Sequence, residues 1–287
     1  MTIGRNIAAA CAVLTASAMA EAGAQEKSTF HLFRPTPAEL LRDMSTDRPD
    51  KTESPFTVDA GHFQFEMDLI NATHDRDTRG GTDTRTDSFS VATANLKAGL
   101  LNNVDLQLVF EPFTRERVSD RVAATTTSQS GFGDVTTRLK INLWGNDGGD
   151  TAFGMMPFVK FPTHQHDLGN DSVEGGVIFP LAVSLPHDWS MGLMTEFDFN
   201  RDASGNRHHL EFINSVTFSH DIYGPLAGYV EFFSLVSAEN NSDWIGTMDV
   251  GLTYGLTENL QLDAGINCGV TRSADDLNPF VGLSARF

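Results

Sequence analysis

The chain has 287 residues, a formal net charge of -18 and two cysteines. An acidic surface repels the phosphates of nucleic acids, and no basic stripe with interleaved aromatic residues is present, so DNA and RNA are excluded as partners. No run of about twenty apolar residues follows the N-terminal segment, which excludes transmembrane helices from the mature chain.

Residues 1–24 have the features of a secretory signal peptide. Arg5 provides a positive charge, residues 7–20 form a short apolar stretch, and an Ala-Gly-Ala sequence that fits a cleavage site follows. The alternative is a buried N-terminal helix, but the stretch lies at the extreme terminus and is too short to span a bilayer. Cleavage removes Cys11, and Cys268 alone cannot form an internal disulfide, so the mature fold must be stable without one.

Residues 25–57 form a leader before the first strand. Thr36-Pro37-Ala38-Glu39 fits a capping box with proline at the first helical position, which predicts a short helix of about two turns. Residues 45–55 are polar and interrupted by prolines, so this stretch is predicted to be extended.

From residue 58 onward, apolar and polar residues alternate with a period of two. In the first strand Phe63, Phe65 and Met67 share one face, and Glu66 and Asp68 share the other. The segments are about twice as long as the strands of globular proteins. The pattern predicts strands at 58–70, 87–100, 103–113, 132–144, 151–162, 172–185, 189–200, 208–219, 225–237, 244–255, 259–271 and 278–287.

Connections between these strands alternate between short turns and longer polar loops. The longer loops are predicted around 71–86, 114–131, 163–171, 201–207, 238–243 and 272–277. This alternation is typical of a transmembrane β-barrel with its short turns in the periplasm, and a ten-residue strand tilted near 40° rises about 25 Å, the height of the apolar band. The sequence therefore predicts an all-β fold, a closed antiparallel transmembrane β-barrel of about 12 strands over residues 58–287, with a short N-terminal helix in the leader.

Aromatic residues and the C-terminus favour the same interpretation. Two aromatic girdles are predicted, one beside the short turns and one near the long loops, from Trp144, Trp189, Tyr223 and Tyr254 and from Phe110, Phe161, Phe199 and Trp244. The last strand ends at Phe287, with Val281, Leu283 and Ala285 on the same face. This ending resembles the signal through which bacterial barrels engage the barrel assembly machinery; an ordinary edge strand is the alternative.

Two prolines argue against a continuous barrel. Pro157 and Pro180 lie inside the fifth and sixth strands, where a missing N–H interrupts the ladder and a closed barrel offers no free edge. Either these positions are bulges near the extracellular rim, or the predicted registers are wrong there. The second strand also alternates poorly, with Ala92, Ala94, Leu96 and Ala98 assigned to the outer face.

The opposite face of the strands is rich in carboxylates. The predicted lumen-lining residues are Glu66, Asp68, Asp105, Asp134, Arg138, Lys140, Glu196, Asp198, Glu211, Glu231, Asp249 and Asp263. Such groups must be solvated or paired. A wet lumen of this charge would prefer cations or neutral solutes over anions, whereas paired charges could also fill a closed barrel. The leader is then either a loosely ordered periplasmic tail or a plug whose charged residues pair with the lumen.

No catalytic, cofactor-binding or metal site is predicted, and the chain is not expected to be an enzyme. His62, His209 and His220 are candidates for a barrel hydrolase, but none lies in a recognisable serine motif. The histidines at 164 and 166 and at 208 and 209 could bind a metal, although such pairs in polar loops are usually solvated.

Three stretches resemble a known bacterial family. Residues 41–69 (LRDMSTDRPDKTESPFTVDAGHFQFEMDL), 131–145 (GFGDVTTRLKINLWG) and 158–164 (FVKFPTH) are similar to the outer-membrane transporters grouped under the phenol-degradation meta-pathway (Phenol_MetA_deg-like). His164 stands where that family commonly has glycine. The resemblance implies an outer-membrane barrel that helps small, often aromatic, compounds to cross, and it places Pro162 at a strand end beside an extracellular loop.

Together these features predict an exported outer-membrane transporter or porin-like channel for passive uptake or efflux of small solutes, including hydrophobic or aromatic compounds. The alternatives are a structural barrel without an open pore and a secreted all-β binding protein. The expected partners are outer-membrane lipid, the barrel assembly machinery through Phe287, and small-molecule solutes, with no cofactor and no nucleic acid.

Overall fold

The computed structural model describes residues 27–166, 168–169, 171–203 and 207–287, so the predicted signal peptide lies outside the described residues. Within them, no helix is long and apolar enough to cross a membrane. The strands are β1 (Phe63–Asp77), β2 (Thr84–Val91), β3 (Ala94–Leu101), β4 (Val104–Phe110), β5 (Phe113–Asp120), β6 (Thr125–Gly131), β7 (Val135–Trp144), β8 (Thr151–Phe161), β9 (Glu174–Ser184), β10 (Trp189–Arg201), β11 (His208–Tyr223), β12 (Leu226–Ser237), β13 (Ile245–Thr257), β14 (Leu260–Gly269) and β15 (Leu277–Arg286).

The strands form one antiparallel sheet that closes on itself. The order runs from β15 back through β7 to β4, β3 and β1, and β1 pairs again with β15, from Gln64 opposite Arg286 to His74 opposite Leu277. Closure leaves the barrel wall without a free edge, which is the condition for a β-sheet to span a membrane. The predicted all-β closed barrel is therefore confirmed.

The fifteen strand segments make twelve barrel strands, because three of the barrel strands each consist of two segments. β2 and β3 form the second barrel strand, β4 and β5 the third, and β6 and β7 the fourth. The second is divided at Ala92, whose φ of 59° is unusual for a residue with a side chain. This break explains why the alternation predicted for that strand is poor.

Two of the predicted long loops are wrong, because they extend the sheet beyond the barrel. Residues 71–77 of β1, β2, β5 and β6 pair in that order, and we call these four segments the flange. Most residues of β6, and of the turn that joins β5 to β6, are exposed on both faces. A strand without an apolar face carries no alternating hydrophobic signal, so the sequence pattern indicated a loop.

The predicted leader helix is shorter than expected. At the predicted position Ala38–Leu40 forms a single 3-10 turn, and no side chain at the N-cap residue Pro37 donates or accepts a capping hydrogen bond. The side chain of Thr36 is buried, and its backbone N–H donates to the carbonyl of Ala60 at 2.9 Å. Thr36 is thus held against the start of β1 and does not form the capping box.

The two prolines are accommodated without a bulge. The β7–β8 ladder has no paired residues between Arg138 and Ile141, opposite Pro157, and the register is the same on both sides of this gap. The β8–β9 ladder has a similar gap that includes Phe179 and Pro180, again without a register change. The missing proline N–H groups therefore remove a few hydrogen bonds between neighbouring strands, but the register does not change at either proline.

Side chains alternate between an apolar outer face and a buried inner face. In β1, Phe63 is 53% exposed, whereas Glu66 is 2% exposed. The aromatic residues predicted at the two barrel ends are also largely exposed on the outer face, among them Trp144, Trp189, Tyr223, Tyr254, Phe161, Phe199 and Trp244. A register shift between Asp68 and Ile70 places Leu69 and Ile70, which are consecutive, both on the outside.

This register shift gives a sharp test of the lipid-facing pattern. We expect spin labels at single cysteines along residues 63–70, in a Cys268→Ser background in lipid vesicles, to show high oxygen accessibility at Phe63, Phe65 and Met67. Both Leu69 and Ile70 should then be accessible, because the bulge puts two successive side chains into lipid. A label at the exposed Val122 serves as the water-facing control. Strict alternation through Ile70 would contradict the bulge, and a flat profile would contradict the lipid-facing barrel.

Candidate functional site in the barrel interior

The leader is fastened at the short-turn end of the barrel. The Arg42 guanidinium donates to the carbonyl of Asn102 at 3.0 and 3.1 Å and forms an ion pair with Asp59 at 3.1 Å. Arg286 of β15 donates to the carbonyl of Arg42 at 2.6 Å. Arg42 and Asp59 therefore hold the two ends of the intervening segment together at the same end of the barrel.

A second contact at this end involves Asp147 in the turn between β7 and β8. Its carboxylate accepts hydrogen bonds from Lys27 at 3.0 Å and Asn102 at 2.8 Å. Burial opposes ionisation, but the hydrogen bonds from Asn102 and Lys27 and the charge of Arg42 hold the pKa of Asp147 below its ordinary value. Asp147 therefore stays negatively charged at neutral pH and ties the leader to the turn.

Between these anchors, residues 47–58 contact the wall on all sides, and we call this segment the inner loop. Arg48 reaches β1 and β14, Lys51 reaches β13, Thr52 reaches β11 and β12, and Val58 reaches β4. A segment that touches opposite walls of a closed barrel must lie inside it. The inner loop therefore occupies the barrel interior.

Asp47 forms the most buried ion pairs of the inner loop. It contacts Lys97 of β3 at 2.5 Å and also Lys140 of β7, and the side chains of Asp47 and Lys140 are 6% and 1% exposed. Lys97 also pairs with Glu66 of β1, whose carboxylate accepts the backbone N–H groups of Asp47 and Arg48. Burying charges is costly unless they are paired and hydrogen-bonded, and this network meets both conditions.

Arg48 bridges β1 and β14. Its guanidinium lies 2.6 Å from Asp68 of β1 and 2.6 Å from Asp263 of β14, and it lies over the ring of Phe280, 5.5 Å from the centroid. A Cβ at Gly282 would lie within 2.7 Å of the Arg48 guanidinium. Glycine at this position therefore makes room for the bridge.

The far side of the inner loop binds β7 and β11–β13. Lys51 lies 3.3 Å from Asp249 and 4.6 Å from the ring centroid of Phe233. The Thr52 hydroxyl is within hydrogen-bond distance of Ser215, at 2.6 Å, and donates to Glu231 at 2.5 Å. Glu53 pairs with Arg138 at 2.6 Å. The inner loop thus contributes both cations and carboxylates to its ion pairs with the wall.

The structure buries or half-buries all twelve predicted lumen-lining residues. Eight of them contact the leader: Glu66, Asp68, Asp105, Arg138, Lys140, Glu231, Asp249 and Asp263. The remaining four lie towards the long-loop end. Asp134 accepts hydrogen bonds from Thr163 and His164, while Asp198 lies opposite Glu211 on the neighbouring strand, two residues from Glu196.

Sequence reasoning missed an apolar patch on the inner wall. Its buried members are Met156, Ile178, Met194 and Ile213, and Phe158, Phe233 and Leu235 pack against them. The sequence pattern predicts that apolar residues of the strands face lipid, but Met194 is in phase with Glu196 and Asp198 on β10. That phase was the available signal that β8–β12 present apolar side chains inward.

The candidate histidines are held by other groups. His62 Nε2 lies 2.8 Å from the carbonyl of Thr36, and His220 Nε2 lies 3.1 Å from the carbonyl of His187. His209 lies between two carboxylates, those of Asp202 and Glu211. Asp202, His209 and Glu239 have donor atoms within 4.8 Å of one another, close enough to share a cation.

Comparisons with known proteins agree with this architecture. The sequence matches the family described as "Putative MetA-pathway of phenol degradation" over residues 46–287. No sequence among curated proteins matches significantly.

Similar solved structures are outer-membrane barrels. The translocator domain of the autotransporter NalP from Neisseria meningitidis has a TM-score of 0.50 at 12% identity, covering 78% of this chain and 88% of that chain. The NanC porin (TM-score 0.49, 11% identity, 77% and 98% covered) and the KdgM porin (0.45, 10%, 78% and 99%) are also similar. At these identities the NalP likeness shows the fold alone.

The Asp47 network can be tested by removing one charge. We expect Asp47→Asn to destabilise the docked leader by about 3 kcal/mol, because Lys140 is left buried without a carboxylate partner among the described residues. Urea unfolding in lipid vesicles and hydrogen exchange of residues 44–58 measure the loss.

The double variant Asp47→Asn with Lys140→Met should recover part of this stability, since it also removes the unpaired charge. Asp43→Asn is the matched control, because Asp43 is an exposed leader carboxylate. If Asp47→Asn behaves like the Asp43 control, the network does not hold the leader.

Proposed function

The chain belongs to the family described as "Putative MetA-pathway of phenol degradation", and we propose that it is an outer-membrane channel for passive transport of small solutes, limited by its own leader. The observation that carries this proposal is the inner loop inside a closed barrel, ion-paired to walls on all sides. In the mature chain residues 25–57 act as the plug, residues 58–287 form the channel, and residues 1–24 are the signal removed on export.

The anchoring of the inner loop supports a plug that can withdraw. Its ends meet at the Arg42–Asp59 ion pair, so the loop enters and leaves at the same end of the barrel and does not thread through it. Its contacts are mainly ion pairs and hydrogen bonds, which water can replace. A segment of this kind can move towards the periplasm without breaking a barrel strand.

The interior favours neutral or cationic solutes with some apolar surface. Glu196, Asp198 and Glu211 place carboxylates on the long-loop side of the inner loop, while the apolar patch around Met194 and Ile213 lines the neighbouring wall. Negative groups at a pore entrance attract cations and repel anions. Hydrophobic and aromatic compounds fit the apolar patch, and the channel itself needs no catalytic group or cofactor.

The alternative is a barrel that never opens. The buried ion pairs of Asp47 with Lys97 and Lys140 favour it, because a permanently filled interior would also satisfy these charges. The two functions differ in whether the inner loop leaves its position.

A reversible disulfide tests the moving plug directly. Thr52 and Ser215 have hydroxyl oxygens 2.6 Å apart, so cysteines at both positions in a Cys268→Ser background can fix the inner loop to β11. We expect planar bilayers to show no channel openings in the oxidised protein and openings after reduction, because only the reduced loop can withdraw.

The matched control places a disulfide within the leader. Ser45 and Ser54 have hydroxyl oxygens 3.0 Å apart, and a cysteine pair there links two leader residues without attaching them to the wall. This variant should open in both redox states. A Thr52–Ser215 cysteine pair that conducts equally when oxidised and reduced would refute the plug, and a wild type without conductance would favour the closed barrel.

Ion selectivity provides a separate test of the interior charges. We expect a potassium chloride gradient to give a reversal potential that shows cation preference. Asp198→Asn together with Glu211→Gln should lower this preference about twofold or more, because two cross-strand carboxylates are removed from the long-loop side of the interior. Glu258→Gln, in an exposed position beside a short turn, is the control and should change it little. Anion preference in the wild type would contradict the proposed solute class.

A further inference from the structure

The outward face of the flange carries a cluster of arginines. Cross-strand pairing places Arg76 opposite Arg85, Asp87 opposite Arg117, and Phe89 opposite Arg115. Residues that are directly opposite in antiparallel strands lie on the same face of the sheet. Four arginines and one strand carboxylate, Asp87, therefore share this face.

The cluster lies directly above the apolar outer surface. Ile70, Phe89 and Phe113 are 50%, 39% and 42% exposed. On the same face Arg115 lies level with Phe89 and two residues beyond Phe113, and Arg117 lies two residues further from the barrel. Two residues of a strand span about 7 Å. The guanidinium groups thus lie where apolar side chains end on the long-loop side, at the depth of lipid headgroups.

Two of the four guanidiniums have no carboxylate partner among the described residues. Arg76 is bound to Asp83, and Arg85 is bound to Asp87. Arg115 donates only to the hydroxyl of Ser128, at 3.3 Å, and Arg117 is exposed. In a chain with a net charge of -18, this leaves two positive charges uncompensated on one surface.

We propose that this face binds the phosphate groups of glycolipids in the outer leaflet of the membrane. The planar guanidinium groups of Arg115 and Arg117 can each donate two hydrogen bonds to phosphate oxygens. Acyl chains of the same lipid then lie against Phe89, Phe113 and Ile70. Because the apolar surface continues directly into the basic surface, this face suits a lipid that carries phosphate. Free phosphate would contact the arginines but not Phe89, Phe113 and Ile70.

Native mass spectrometry of the full-length mature protein in detergent, with bisphosphorylated lipid A as the probe, tests this proposal. We expect retention of the lipid by the wild type and about tenfold weaker binding by Arg115→Gln with Arg117→Gln, because two charge-assisted contacts are lost. Arg272→Gln, which removes an exposed arginine outside the flange, is the matched control and should bind like the wild type. Heat-modifiable gel migration shows that each variant is folded.

Wild-type measurements keep the proposal testable if the double variant does not fold. Binding should fall about tenfold for lipid A without phosphate and should survive millimolar inorganic phosphate. Equal binding of dephosphorylated lipid A would overturn the proposal, and so would displacement by inorganic phosphate. A folded double variant that binds like the wild type would overturn it as well, as would an equal loss in Arg272→Gln.

Discussion

A strand that crosses a membrane must satisfy every backbone N–H and C=O within the protein, and the pairing of β1 with β15 meets this condition. Phe63 and Phe287 exchange both backbone hydrogen bonds at the seam, at 2.8 and 3.2 Å. Closure divides the side chains into a lipid-facing set and an enclosed set. The enclosed set includes many charged groups, which then need partners inside the barrel, and the leader supplies several of them.

Four charges of the inner loop are complementary to those of the wall. Two carboxylates, Asp47 and Glu53, meet wall cations, whereas the cations Arg48 and Lys51 meet wall carboxylates. Asp50 is the exception, because it lies near the wall carboxylate Glu231. A shift of one residue would place Arg48 beside Lys97 and Lys140, and like charges in a buried site are strongly unfavourable. The ion pairs therefore determine where the leader lies inside the barrel, in addition to holding it there.

The sequence allows prediction of the barrel where one face meets lipid, because the alternation has a physical cause in each such strand. It does not allow prediction of the flange, since β6 is exposed on both faces and lacks an apolar period. The position of the inner loop also depends on distant partners; Arg48, for example, binds Asp263, 215 residues away. Only the charge pattern of residues 42–51 indicates a plug, and that pattern equally suits a solvated tail. Met194 was missed because apolar residues were assigned to the lipid side.

The inner wall has two chemically different halves. The ion pairs of the inner loop are concentrated on β1, β3, β7, β13 and β14, while the apolar patch lies on β8–β12. In a channel of the proposed kind, a strongly polar solute competes with the ion pairs of Asp47 and Arg48 for the same groups. Once the inner loop has withdrawn, a solute with apolar surface loses contact with water against Met194 and Ile213 without competing for a charged group. In the proposed channel, this division of the wall would favour compounds that are small, weakly polar and not anionic.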